Sequence, residues 1–394
     1  MRKTLIISSA ISYLSVLVSY GINVYIARTV EIDILTNYFL AVSVMLVVYT
    51  SLDFGFEQSG VLFCKKNLEK ILSLQLKFLK ARVIILVPII LIFLSLNYYF
   101  DDSNYYMYWP LLIFPLFYLP VIFESRLEWS NYSLVLLIER TLFLLLILIV
   151  INLIMPHEYI FIAYALSTVV AIFIQYRRLS LRQLLDSRDL SQLYSFISWS
   201  YPTYLIGIMM MTYGHFSRWF VQEKFGALIF AQMTVSLTFV NLFIVFQKQI
   251  DKYIRLKLLN SEDNLKETAI FIRNYLIKYV GIVIFGCVLI SFNSDWIVIM
   301  IFGERWVGSG DYLSVMIFMV VPVTIFRILD AASQNGGWIK QNLVLAVMFL
   351  IIFILTSLLI PNTYSAIHYT ISILLIQIIH SLTVAYVAYN KITK

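Results

Sequence analysis

The chain has 394 residues, of which 61% are hydrophobic and only 13% charged, and its mean hydropathy is +0.87. A soluble globular domain carries charge on roughly a quarter of its residues, so that class is excluded and a polytopic membrane protein is expected. The formal net charge of +7 requires no nucleic acid, because basic residues flanking apolar spans meet anionic headgroups.

Apolar runs of about 20 residues are long enough to cross a bilayer. About twelve are present, near 5–27, 36–56, 82–100, 109–125, 133–154, 159–175, 196–215, 226–247, 275–292, 311–329, 342–360 and 366–389. Six precede and six follow the polar stretch Gln175–Tyr194. The fold class expected is therefore all-α, with about twelve transmembrane helices in two six-helix bundles, 1–175 and 196–394, joined by a cytoplasmic amphipathic hinge at 176–195. In that hinge Leu181, Leu184 and Leu185 share one side of a helix with Arg177, Arg178 and Arg182 close by, a surface-lying pattern that Arg188 interrupts.

An even number of spans puts both termini on one side. Of the 29 Lys and Arg residues, 24 fall at span ends and loops on that side, against Arg28, Arg218, Lys224 and Arg305 on the other. The positive-inside rule then makes the termini and the hinge cytoplasmic. The first apolar run follows Arg2 and Lys3 as a signal peptide would, but it exceeds an h-region and is read as a retained helix. Cys64 and Cys287 lie in different halves, so they predict neither a disulfide nor a metal site.

In chain order, span 1 ends Asn23-Val-Tyr-Ile-Ala-Arg28, and span 2 closes with Leu52-Asp-Phe-Gly-Phe-Glu57. A continuing helix would set Asp53 and Glu57 on one face, either solvated at the inner end or lining a polar cavity. The basic segment from Cys64 to Arg82 is spaced as a second interfacial helix, and the Tyr-rich loop 101–109 reads as an aromatic belt. Span 5 carries Glu139 and Arg140 inside an apolar run, where charge is costly and marks either a structural pair or a cavity. Adjacent helical residues point about 100° apart, so these two need not pair with each other.

Span 7 ends Tyr213-Gly-His-Phe-Ser-Arg218, echoing Tyr20-Gly21 and Arg28 at the start of the first half, a repetition common in transporters. His215, His157, His368 and His380 show no metal-ligand spacing, and neither HExxH, P-loop nor dinucleotide fingerprint occurs. The charged interval 248–268 reads as a solvated loop. The interval 291–311, with Phe302-Gly-Glu-Arg-Trp306, reads as the longest outer loop, and Arg327 and Asp330 lie near the inner end of span 10.

Three local patterns resemble the O-antigen and related lipid-linked oligosaccharide flippases of the multidrug/oligosaccharidyl-lipid/polysaccharide exporter superfamily. Arg28 with the turn into Tyr38 resembles the family's first outer turn. Asp53-Phe54-Gly55 resembles its Asp-x-Gly near span 2, and Phe302-Gly303 its Phe-Gly element before span 10. Where family members often carry Asp-Arg at the end of span 7, this chain has Ser217-Arg218.

The resemblance implies a V-shaped pair of bundles in a bacterial inner membrane. They would open alternately to move a polyprenyl-diphosphate-linked oligosaccharide, with membrane lipids, a glycan polymerase and chain-length machinery as partners and no cofactor. Arg140, Arg28, Arg218 and Arg327 are the substrate-binding candidates, because the guanidinium fork matches a diphosphate. Asp53, Glu57 and Glu139 are the ion-coupling candidates.

Two other readings share the composition. A membrane glycan polymerase would need a large outer loop with basic catalytic residues, whereas the longest here has only Arg305. A multidrug exporter of the related fold would bind cationic drugs in an acidic cavity.

Overall fold

A computed structural model describes residues 2–55, 129–153, 159–177, 191–260, 265–335, 337–361 and 363–393, together with isolated positions at 63, 74, 77, 81, 82 and 84. Every described element is helical: α1 (Arg2–Thr29), α2 (Ile32–Asp53), α3 (Trp129–Asn152), α4 (Tyr159–Tyr176), α5 (Ser191–Phe225), α6 (Ala227–Asn260), α7 (Leu265–Phe292), α8 (Ser294–Phe302), α9 (Ser309–Met316), α10 (Val320–Asn335), α11 (Ile339–Leu359) and α12 (Ala366–Thr393), with 3-10 turns at Glu304–Trp306 and Ile317–Met319.

Among these residues seven helical spans are long and apolar enough to cross a membrane, or eight if the bent pair α7 and α8 counts as one. Large apolar side chains stand exposed along them, such as Phe173 on α4 at 69% and Leu359 on α11 at 76%. In water each would be a liability, and facing acyl chains it costs nothing. The protein is a multi-pass membrane protein. The expected spans 82–100 and 109–125, the loop 101–109, Cys64 and most of the hinge lie outside the described residues.

Two compact units emerge, residues 1–22 with 37–211 and residues 23–36 with 212–394. This division cuts through α1, α2 and α5, and it differs in kind from the sequence halves 1–175 and 196–394, which follow span order. In the first unit α3 and α4 pack along their length. Ala163, Ala165 and Ala171 of α4 are buried, and Ala171 meets Val135 of α3 in a shared apolar cluster; small residues of this kind let membrane helices approach closely.

The C-terminal end of α2 is finished by an irregular turn in the same unit. Phe54 and Gly55 have φ of 51° and 73°, left-handed values that end a helix. A side chain at Gly55 would lie 3.3 Å from the Tyr204 backbone, so glycine lets α5 approach. Ser200 Oγ then donates to Phe54 O at 3.1 Å, and the Tyr204 hydroxyl to Ser51 O at 2.8 Å.

In the second unit α10 packs on α6, α7 and α12, and α12 also on α11. Tyr213 of α5 stacks on Phe353 with centroids 4.0 Å apart and donates to Ile373 O at 3.0 Å. Pro202 lies inside α5, where it removes one backbone bond from the helix ladder. The charged interval 248–260, expected as loop, instead continues α6. At 1.5 Å per residue the 34-residue α6 is about 51 Å long, exceeding a hydrocarbon core of about 30 Å, so its last turns lie beyond the apolar layer.

The interval 291–311 also proves helical. α8 follows α7 after a 75° bend. Gly303 then adopts φ 95° and ψ 166°, a region open essentially to glycine alone, and starts the 3-10 turn that carries Arg305 and Trp306.

Candidate functional site

Glu139 and Arg140 sit midway along α3, and their neighbours come from α2 and α4 of the same unit. Glu139 is buried at 4% exposure and Arg140 is half-buried. Thr168 of α4 donates to Glu139 Oε1 at 3.2 Å and lies 3.0 Å from the Tyr164 carbonyl one turn earlier. The Tyr164 phenol is in hydrogen-bonding reach of both the Arg140 guanidinium and the Thr168 hydroxyl. Its ring is fixed edge-on by Phe143 at 5.1 Å.

Donor and acceptor chemistry orders these contacts. A guanidinium only donates and a carboxylate only accepts. The two hydroxyls between them therefore align in one direction, from Arg140 to the Tyr164 oxygen, from Tyr164 to Thr168, and from Thr168 to Glu139. Residues 164 and 168 lie four apart on one face of α4, which is how two charges pointing apart on α3 become linked. Tyr38 of α2, 5% exposed, adds a second phenol, near enough to interact electrostatically with both Arg140 and Tyr164.

The remaining sequence candidates occupy other surroundings. Asp53 forms a buried ion pair with Arg82, Nη2 to Oδ1 at 2.8 Å, and Arg82 Nε donates to Leu52 O at 2.9 Å. Arg82 thus binds both a carboxylate and a carbonyl at the end of α2, a helix end that attracts cations. Glu57 lies outside the described residues.

Arg28 donates through Nε to Ile301 O and through Nη2 to Met300 O, each at 2.7 Å. Arg305 returns the arrangement, bonding Ala27 O and, at 2.8 Å, Val30 O, while Trp306 Nε1 donates to Ala27 O at 3.0 Å. The C-terminal carbonyls of α1 and α8, which lack partners within their helices, are thus capped reciprocally.

Arg218 is half-buried one turn beyond His215 on α5. Arg327 donates to Ile244 O at 3.2 Å, and three residues on, Asp330 accepts from Asn342 at 3.4 Å. Of the candidates, only Glu139 and Arg140 are brought into one cluster. Among the described residues no group of three or more His, Cys, Asp and Glu could hold a metal ion, and Cys287 is a free, buried thiol.

Sequence reading missed Tyr164 and Thr168, whose hydroxyls leave no charge signature in an apolar run. It also missed the role of Arg82, which closes a segment already rich in lysine.

No family model matches the chain, and no curated protein matches its sequence. Solved structures do match its fold. An outward-facing multidrug resistance MATE family transporter of the MOP superfamily superposes with a TM-score of 0.70 at 13% identity, covering 99% of this chain and 96% of that one. The inward-facing conformation of such a transporter gives 0.68 at 14%, covering 99% and 98%. The fold is that of the MATE transporters.

A MOP superfamily transporter from Pyrococcus furiosus, described as having a binding pocket of reversed polarity that suggests a different function, gives 0.67 at 15%, covering 99% and 96%. On this MATE-like fold the superfamily suggested by the local sequence patterns is also that of the structural neighbours. At such identities the likeness concerns architecture alone.

Proposed function

We propose that the protein is a flippase that carries a polyprenyl-diphosphate-linked oligosaccharide from the cytoplasmic to the outer leaflet of a bacterial plasma membrane by alternating access, without bond chemistry. The observation that carries this reading is Arg140, a guanidinium midway along a membrane helix with two phenols beside it. Placing a cation there is costly, and a planar fork with several donors suits a diphosphate. Arg218 and Arg327 are further candidates for the same anion. Glu139 is the preferred ion-coupling group because it shares a hydrogen-bonded chain with Arg140, whereas Asp53 is engaged by Arg82. The exported repeat units would pass to a polymerase and chain-length machinery, with both termini cytoplasmic.

Multidrug export is the second reading, favoured by neighbours described as multidrug resistance transporters. A cationic drug needs an available carboxylate, yet Glu139 already accepts from Thr168 beside an arginine. The Pyrococcus furiosus neighbour, with its reversed pocket polarity, offers a precedent for the same architecture with other cargo.

Gene deletion separates the readings. A flippase predicts complete repeat units accumulating on the lipid carrier with none exposed at the surface, and Arg140→Ala failing to restore export. Unpolymerised single repeats at the surface would indicate a polymerase, and unchanged glycan with raised drug sensitivity a multidrug exporter. Full restoration by Arg140→Ala would remove that residue from the mechanism.

A further inference from the structure

The link between Glu139 and Arg140 assigns work to residues that carry no charge. We infer that Tyr164 and Thr168 are positioning residues: they hold the Arg140 guanidinium in the orientation that receives a diphosphate, and they keep the Glu139 carboxylate turned toward α4 and away from that anion. The inference rests on the anion-carrier reading of the same site.

A lone arginine has a long stem with many rotamers, and its ordering must be supplied by neighbours. Here the phenol oxygen of Tyr164 accepts from the guanidinium, and the ring behind it is clamped by Phe143, so the acceptor is itself rigid. The phenol proton is spent on Thr168, and the threonine proton on Glu139 Oε1, so each bond in the chain polarises the next. Without Thr168 the carboxylate would lose a donor and could swing toward the adjacent cation, where it would compete with any incoming phosphate. Tyr38, buried beside Arg140 and Tyr164, adds a hydroxyl that can donate to the ligand. Guanidinium and phenol together offer donors to a group that only accepts. That favours diphosphate over a cation or a neutral sugar.

The test uses the full chain in nanodiscs with two probes, farnesyl diphosphate and farnesol, which share an apolar tail and differ in the anion. The readout is the ratio of their affinities, which a general loss of packing would not change selectively because it would weaken both. Wild type is expected to prefer the diphosphate, and Arg140→Ala to lose the preference. Tyr164→Phe keeps the ring and removes the hydroxyl, and should lower the ratio about tenfold, the scale of one charge-assisted hydrogen bond.

Adding Tyr164→Phe to Arg140→Ala should cause no further loss, since both act through one group. Thr168→Val should reproduce much of the Tyr164→Phe effect and Thr168→Ser should restore it, which keeps the test decisive if the tyrosine variant folds poorly. A wild-type ratio in Tyr164→Phe and Thr168→Val, with Arg140→Ala defective, would overturn the positioning role and leave the anion reading standing. A wild type indifferent to the diphosphate would overturn both.

Discussion

Asp53 and Arg82 have side chains exposed by only 9% and 4%, so truncating either leaves a buried charge without its counterpart. Asp53→Ala and Arg82→Ala are each expected to cost about 3–5 kcal/mol, seen as a large fall in thermal midpoint in detergent, with the double variant losing less than the two single losses combined. A fully stable but inactive Asp53→Ala protein would instead return Asp53 to ion coupling. Glu139 and Arg140 were legible in the sequence because ionised side chains stand out in an apolar run. Thr168 was not, because a threonine in a helix ordinarily bonds its own backbone, as Thr168 can here with Tyr164 O. Asp53 was legible as a carboxylate, but its partner was hidden among the many basic residues of the segment before it.

At the scale of elements, the interval 291–311 shows how turn residues can conceal a helix. Its aromatic and apolar content indicated packing, and Gly303 marks a true break, yet α8 between the two was missed because nine residues are too few to display a period. Gly303→Ala would force a side chain into a glycine-only conformation and should cost roughly 1–3 kcal/mol. Gly310→Ala should be worse than an ordinary surface change, because its methyl carbon would lie 2.9 Å from Asp295 Cα and closer still to the carboxylate; a thermal midpoint equal to wild type would contradict that packing. Arg28 and Arg305 are expected to behave as caps. Arg28→Ala should lower stability while leaving the diphosphate-to-farnesol preference unchanged, and Arg28→Lys should only partly restore it, because a single ammonium does not reproduce the paired bonds to Met300 and Ile301. A lost preference would mark Arg28 as a ligand contact.

For the molecule as a whole, composition and apolar run length made the membrane class and the helical architecture legible, and the expected spans 1, 2 and 5–12 coincide with described helices. Their partnerships were not legible, because helix rotation depends on a few buried small or polar residues, and a lipid-facing leucine looks like a core leucine in sequence. The charge asymmetry of the loops remains a topological expectation. Alkaline phosphatase fused after Pro361 should be active and the same enzyme fused after Lys394 inactive, whereas the reverse would invert the orientation. The reciprocal caps also set a timetable for biogenesis. Ala27 O is bonded by a residue 278 positions later in the chain, and at about 5–20 residues per second the ribosome needs roughly a quarter of a minute to a minute to supply it. Through that interval the first hairpin must wait in the bilayer with its carbonyls satisfied by water, lipid headgroups or an insertion factor, which makes the newly inserted α1–α2 pair the point at which quality control has longest to act.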